Sequence, residues 1–134
     1  MTVLRVLPFE DMGEPVIILS ADRDGMRMFQ SVVQSAQDGG ASTFDFDGVS
    51  DQVIWQVGAA DIEIGWHAVT WRFDDAKLVE MMELMVPLVE PGVAGHQYID
   101  DLHSPVETLI LSVNEYLSGP PLEEFPELST APSE

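Results

Sequence analysis

The chain has 134 residues, 46% of them hydrophobic, which suits one domain built around a single core. Its 24 Asp and Glu against 5 Lys and Arg give a formal charge of −19, a field that repels nucleic-acid phosphates and anionic lipid and attracts basic proteins. It contains no cysteine, which removes disulfides, thiolate catalysis and cysteine-ligated metal together.

The opening MTVLRVLPFEDMGEP lacks the basic segment and long apolar stretch of a secretory signal, so the expected compartment is the cytoplasm. No apolar run reaches the ~18 residues that a membrane span needs. Thr2 to Phe9 reads as a strand at a sheet edge, because Pro8 cannot donate to a ladder. PVIILS, from Pro15, is a short branched apolar run and reads as a buried strand. A helix follows. Ser20 or Asp22 can cap it, Met26, Phe29, Val33 and Ala36 recur at helical spacing, and Gly39-Gly40 ends it.

STFDFDGVSDQVIWQVG then alternates. Phe44 and Phe46 point one way, Asp45 and Asp47 the other, and Asp47-Gly48 suits a hairpin turn. Val53, Trp55 and Val57 share a face, so Trp55 and Trp71 are expected in the core. Ile62 and Ile64 alternate with Asp61 and Glu63, after which the phase shifts to Val69, Trp71 and Phe73. A turn at Gly65-Trp66-His67 absorbs the shift and makes a second hairpin. Asp74 or Asp75 caps a second helix, with Leu78, Met81, Met82 and Met85 on its apolar stripe and Pro87 kinking or ending it near Val86. HQYI and ETLILSV are the last strands. Residues 118–134 hold Glu123, Glu124, Glu127 and Glu134 among prolines, with no base, and read as a flexible acidic tail. Leu122, Phe125 and Leu128 could instead dock on the body or on a partner.

The expected architecture is α+β over residues 1–117: one mostly antiparallel sheet, two helices packed on one face, acids on the other, in the order β(β)αβββαββ.

Two constellations compete for function. HQYIDDLHSP gathers His96, Tyr98, Asp100, Asp101 and His103, residue types that bind zinc or non-haem iron. Strand parity puts His96, Tyr98 and Asp100 on one face, but His103 lies beyond the strand beside Pro105, and the spacing matches no metal motif. The stretch reads better as an Asp-rich connection between the last two strands. The other constellation is the acids Asp45, Asp47, Asp51, Asp61 and Glu63. As catalytic carboxylates, the pairs Asp45 with Asp47 and Asp61 with Glu63 would lie on a flat, solvent-screened sheet face, where pKa values stay ordinary, and the pair Asp74 with Asp75 is a helix cap. As a docking surface the five acids suit a basic partner, and Trp66, in the turn and out of phase, would serve as an anchor unless it packs over the sheet edge. No nucleophile elbow or phosphate loop is present.

Through GAADIEI, VTWRFD, GHQYID and SPVETLILSVNEY, the stretch from Pro15 to Leu117 resembles a group of small acidic actinobacterial proteins without assigned activity. The group is loosely similar to bacterial immunity proteins, which cap a toxin's active site. The resemblance implies a compact α+β domain and assigns no functional residue. The expected function is therefore a non-enzymatic binding or inhibitory module, immunity- or antitoxin-like. It would set Asp45, Asp47, Asp51, Asp61, Glu63 and Trp66 against a basic protein such as a toxin, without cofactor, nucleic acid or membrane. The alternatives are a small enzyme or metal-binding domain using the His96–His103 segment, and a homodimeric scaffold.

Overall fold

A computed structural model describes residues 2–115. The expected tail at 118–134, with any docking by Leu122, Phe125 and Leu128, lies outside the described residues. The chain runs β1 (Leu4–Asp11), β2 (Glu14–Ala21), α1 (Arg23–Gly39), β3 (Ala41–Phe46), β4 (Val49–Trp55), β5 (Ala60–Ile64), β6 (Ala68–Phe73), α2 (Asp75–Met85), a 3-10 turn (Val86–Val89), β7 (Gly95–Ile99) and β8 (Leu109–Val113). The class is α+β.

The finer architecture departs from expectation. There are four strands between the helices, not three, and two four-stranded sheets instead of one, ordered β1-β2-β8-β7 and β3-β4-β6-β5. Each sheet is two antiparallel hairpins joined by a parallel central pair, β2 with β8 and β4 with β6. Nor do the helices share one sheet face. α1 packs against β2, β3 and β4, while α2 packs against β6 and β7. Both sheets and both helices close on one core, in which Phe29 meets Trp71 at 4.8 Å between ring centroids and which also holds Leu19, Met26, Met81 and Leu111. The second sheet face of β1-β2-β8 carries its own small cluster of Phe9, Val16, Ile18 and Ile110. That explains the unbroken apolar runs: β2 and β8 are central strands covered on both faces.

Local chemistry sets the element ends. Asp22 caps α1 by accepting from the Gly25 N–H at 2.8 Å, and it also accepts from Val3 N–H at 3.0 Å, tying the helix to the start of β1. Gly40 closes α1 at φ 95°, a conformation that would strain a side chain. Asp74 caps α2 through the Lys77 N–H at 2.9 Å. α2 ends at Met85, and Pro87 sits in the 3-10 turn that follows. Asp47 (φ 54°) and Gly48 (φ 80°) make the β3–β4 turn, as two left-handed positions in a row require.

A groove at the hairpin tips

The β3–β4 and β5–β6 turns lie at the same end of their sheet. β1, the edge strand of the other sheet, borders that end. Between them runs a groove of about 390 Å³, walled by Leu4 and Val6 of β1, Phe46 and Val49 flanking the first turn, and Ile64 and Val69 flanking the second. Gly65 N–H donates to the Ala68 carbonyl at 2.7 Å, leaving Trp66 and His67 at the tip of the hairpin. Trp66 lines the groove yet is 90% exposed, with the His67 ring edge-on at 5.6 Å. A large aromatic so exposed has no packing explanation within the described residues.

Asp51 also lines the groove, and it corrects the expectation of an exposed acid. It is 3% exposed. The reason is parity: Asp51 shares its face of β4 with Val53, stands opposite Phe44 and Val69 in the neighbouring strands, and so points toward the core. Its Oδ1 accepts from the Trp71 indole N–H at 3.0 Å. Burial pushes the Asp51 carboxyl above the ordinary aspartate range, and the indole hydrogen bond offsets part of that rise.

The remaining acids stand apart from Asp51. Asp45 alternates to the outer face of the sheet and Asp47 sits in the turn, both exposed. Asp61 and Glu63 occupy that same outer face, but each is held by Arg72, at 2.9 Å and 2.7 Å. Register explains the clamp, because Arg72 lies directly opposite Asp61 and one step diagonal to Glu63. Two of the five expected acids are thus held by one arginine, whose single charge offsets one of the two carboxylates. Trp55 is a second correction: at the end of β4 it is 42% exposed instead of buried.

The His96–Pro105 segment disperses. His96 Nδ1 lies 3.1 Å from Glu115 Oε1, and its ring meets Tyr98 edge-on at 5.4 Å. Burial, then the nearby carboxylates of Asp11, Glu115 and Asp100, pushes the Tyr98 phenol up. Asp100 accepts from the Thr108 hydroxyl, and its carbonyl from Lys77 Nζ. Asp101 occupies a left-handed turn position at φ 63°. His103 belongs elsewhere: its backbone N–H donates to Ala60, and Ser104 accepts from Ile62, so this loop lies along the edge of β5. Among the described residues no three His, Asp or Glu converge to hold a metal ion.

A larger hollow of about 550 Å³ lies beyond Ile64 and Pro8, between Pro15, Arg72, Ser104 and Val106. Its charges, Arg72 with Asp61 and Glu63, already satisfy one another, so it offers a ligand mainly apolar wall. The hairpin-tip groove, with a buried acid below and an exposed Trp at its rim, is the better candidate site. Sequence reasoning found Trp66 but missed the groove, because β1 comes from the other sheet.

No described helix is long and apolar enough to cross a membrane. No protein-family model matches the chain, and no curated protein sequence does. Among solved structures the chain is similar to the crystal structure of Drosophila Suppressor of Fused, at a TM-score of 0.48 and 10% identity, covering 81% of this chain. It spans only 26% of that chain, and at this distance the likeness assigns neither activity nor partner.

Proposed function

We propose that this protein is a non-enzymatic binding module of the inhibitory, immunity-like kind, which docks on a basic partner protein through the groove at its hairpin tips. The observation that carries the reading is Trp66, 90% exposed on the rim of an apolar groove. Tryptophans in such positions are the residues that dominate binding energy when a partner covers them. The charge supports the same reading. A net −19 speeds encounter with a cationic protein, and Asp47 remains exposed at the tips to meet it, while Asp45, on the outer face, adds to the field. Asp61 and Glu63 contribute through the long-range field, since Arg72 already holds their carboxylates. Asp51 contributes from below the rim, not from an exposed face.

A secreted or intracellular toxin with a basic cleft is the kind of partner this chemistry suits, met in the cytoplasm. The test is affinity capture from the source cell with wild type and with Trp66→Ala, at low and high salt. The reading expects a cationic protein whose retention falls at high salt and falls at least tenfold with Trp66→Ala. Recovery that ignores both salt and Trp66 overturns it.

A further inference from the structure

Asp51 raises a specific question. It is a carboxylate 3% exposed, with one hydrogen-bond donor, Trp71 Nε1–H, and no ion-pair partner among the described residues. Buried charges in folded proteins are normally paired, because an isolated ion in a low-dielectric site is costly. This chain spends its other cations elsewhere. Arg72 holds Asp61 and Glu63, Lys77 holds Glu80, and Arg23 Nε donates to the Val89 carbonyl at 2.6 Å. Arg27 is exposed on α1. Arg5 lines the groove as well, but it has the parity of Leu7, which packs in the second cluster with Phe9, and not that of Leu4 and Val6, which pack on the main core.

We propose that the hairpin-tip groove is a subsite for one basic side chain, an arginine or lysine of the partner, with Asp51 as its buried counter-charge. This rests on the protein-binding reading above and names what that site recognises. The apolar walls, Leu4, Val6, Ile64 and Val69, accept the alkyl stem of such a side chain, which is mostly hydrocarbon. Trp66 at the rim offers an aromatic face to the stem and backbone where such a side chain enters. Asp47 adds a second carboxylate at the mouth. The raised pKa of Asp51 agrees with this geometry, since the positive charge of an arriving side chain would offset the desolvation that raises it. A neutral apolar side chain would fill the walls and leave Asp51 uncompensated. An acidic one would be repelled. The inserted charge thus acts as the selectivity element, because a buried acid rejects every side chain that cannot neutralise it.

The experiment uses the full chain, 15N-labelled, titrated with acetyl-Gly-Arg-Gly-amide and with the lysine, norleucine and glutamate counterparts. The Trp71 indole N–H, bonded to Asp51, reports on the floor of the groove, and the Trp66 indole reports on the rim. Trp→Phe variants assign the resonances. The proposal expects saturable shifts of both indoles with the arginine or lysine peptide, in about the millimolar range for a single side chain. Norleucine and glutamate peptides give none. Asp51→Asn, which retains an acceptor for Trp71, weakens arginine binding at least tenfold, and Trp66→Ala weakens it severalfold. Equal shifts with the norleucine peptide, or arginine binding unchanged in Asp51→Asn, overturn the subsite. If the peptides leave both indoles unmoved while the captured partner still requires Trp66, the subsite falls and the docking reading stands. If the partner ignores Trp66 while the arginine peptide binds in an Asp51-dependent way, the docking reading falls alone.

Discussion

Replacing Asp51 by asparagine makes the protein more stable at neutral pH, and by an amount that depends on pH. Asp51 is 3% exposed and accepts one hydrogen bond, at 3.0 Å from Trp71 Nε1. Burial raises its pKa above the ordinary 3.8, and the hydrogen bond reverses only part of the rise, so folding favours the neutral carboxyl. Well below 3.8 the group is protonated whether the chain is folded or not, and its favourable contribution is fully present. As pH climbs through the raised value that contribution is lost, because the folded state must then hold a desolvated charge. Asparagine removes the charge and keeps a carbonyl oxygen for the indole. A desolvation penalty of a few kcal/mol per buried ion stands against a charge-assisted hydrogen bond of about 1.5–3 kcal/mol. The difference leaves a net gain of about 1 kcal/mol at pH 7.5, or roughly 3–5 °C in Tm for a domain of this size. Thermal unfolding of wild type and Asp51→Asn at pH 7.5 and pH 4 measures it. The gain must shrink toward pH 4. A variant less stable than wild type at pH 7.5, or a difference that does not vary with pH, refutes the reasoning.

Further outcomes follow from the same geometry. Gly25→Ala should destabilise by about 2–3 kcal/mol in urea unfolding, although alanine in a helix normally gains about 1 kcal/mol over glycine. The added Cβ falls on the Val3 carbonyl oxygen and within 3.2 Å of Ala21 Cβ, and a stabilised variant would contradict that packing. Phe29→Ala should cost about 3–5 kcal/mol, since Phe29 is fully buried against Trp71; a loss below about 1 kcal/mol would place it outside the core. Trp66→Ala should leave stability within about 0.5 kcal/mol and remove the tryptophan fluorescence most accessible to acrylamide, as its 90% exposure requires; a large drop in Tm would mean it packs. Arg72→Gln releases Asp61 and Glu63 and should speed association with the basic partner at low salt while leaving dissociation unchanged. Slower association would show that Arg72 itself touches the partner.

Much of the local structure was legible because local chemistry dictates it. Asp22 and Asp74 cap the helices, Gly40 closes α1, and Asp47-Gly48 turns the first hairpin, each within a few residues of the signal. The division into two sheets was not legible. It depends on the parallel pairs β2 with β8 and β4 with β6, which join segments distant in the chain and leave no mark in the alternation of either strand. Asp51 was legible in principle, since it has the parity of Val53, but an aspartate in a polar stretch reads as exposed until a buried donor such as Trp71 is known. Trp66 stood out because a turn residue has no sheet phase. Its surroundings did not, because Leu4 and Val6 reach the groove from the far end of the sequence.

The proposed docking surface is the hairpin tips and not the outer sheet face with Asp45. Photo-crosslinking tests it directly, with benzoylphenylalanine placed at Trp66 in one variant and at Asp45 in another, each bound to the captured basic partner. Both positions are exposed, so either can carry the probe. The expected result is a dominant adduct from position 66, suppressed by an excess of the arginine peptide. An adduct from position 45 with none from position 66 would contradict it.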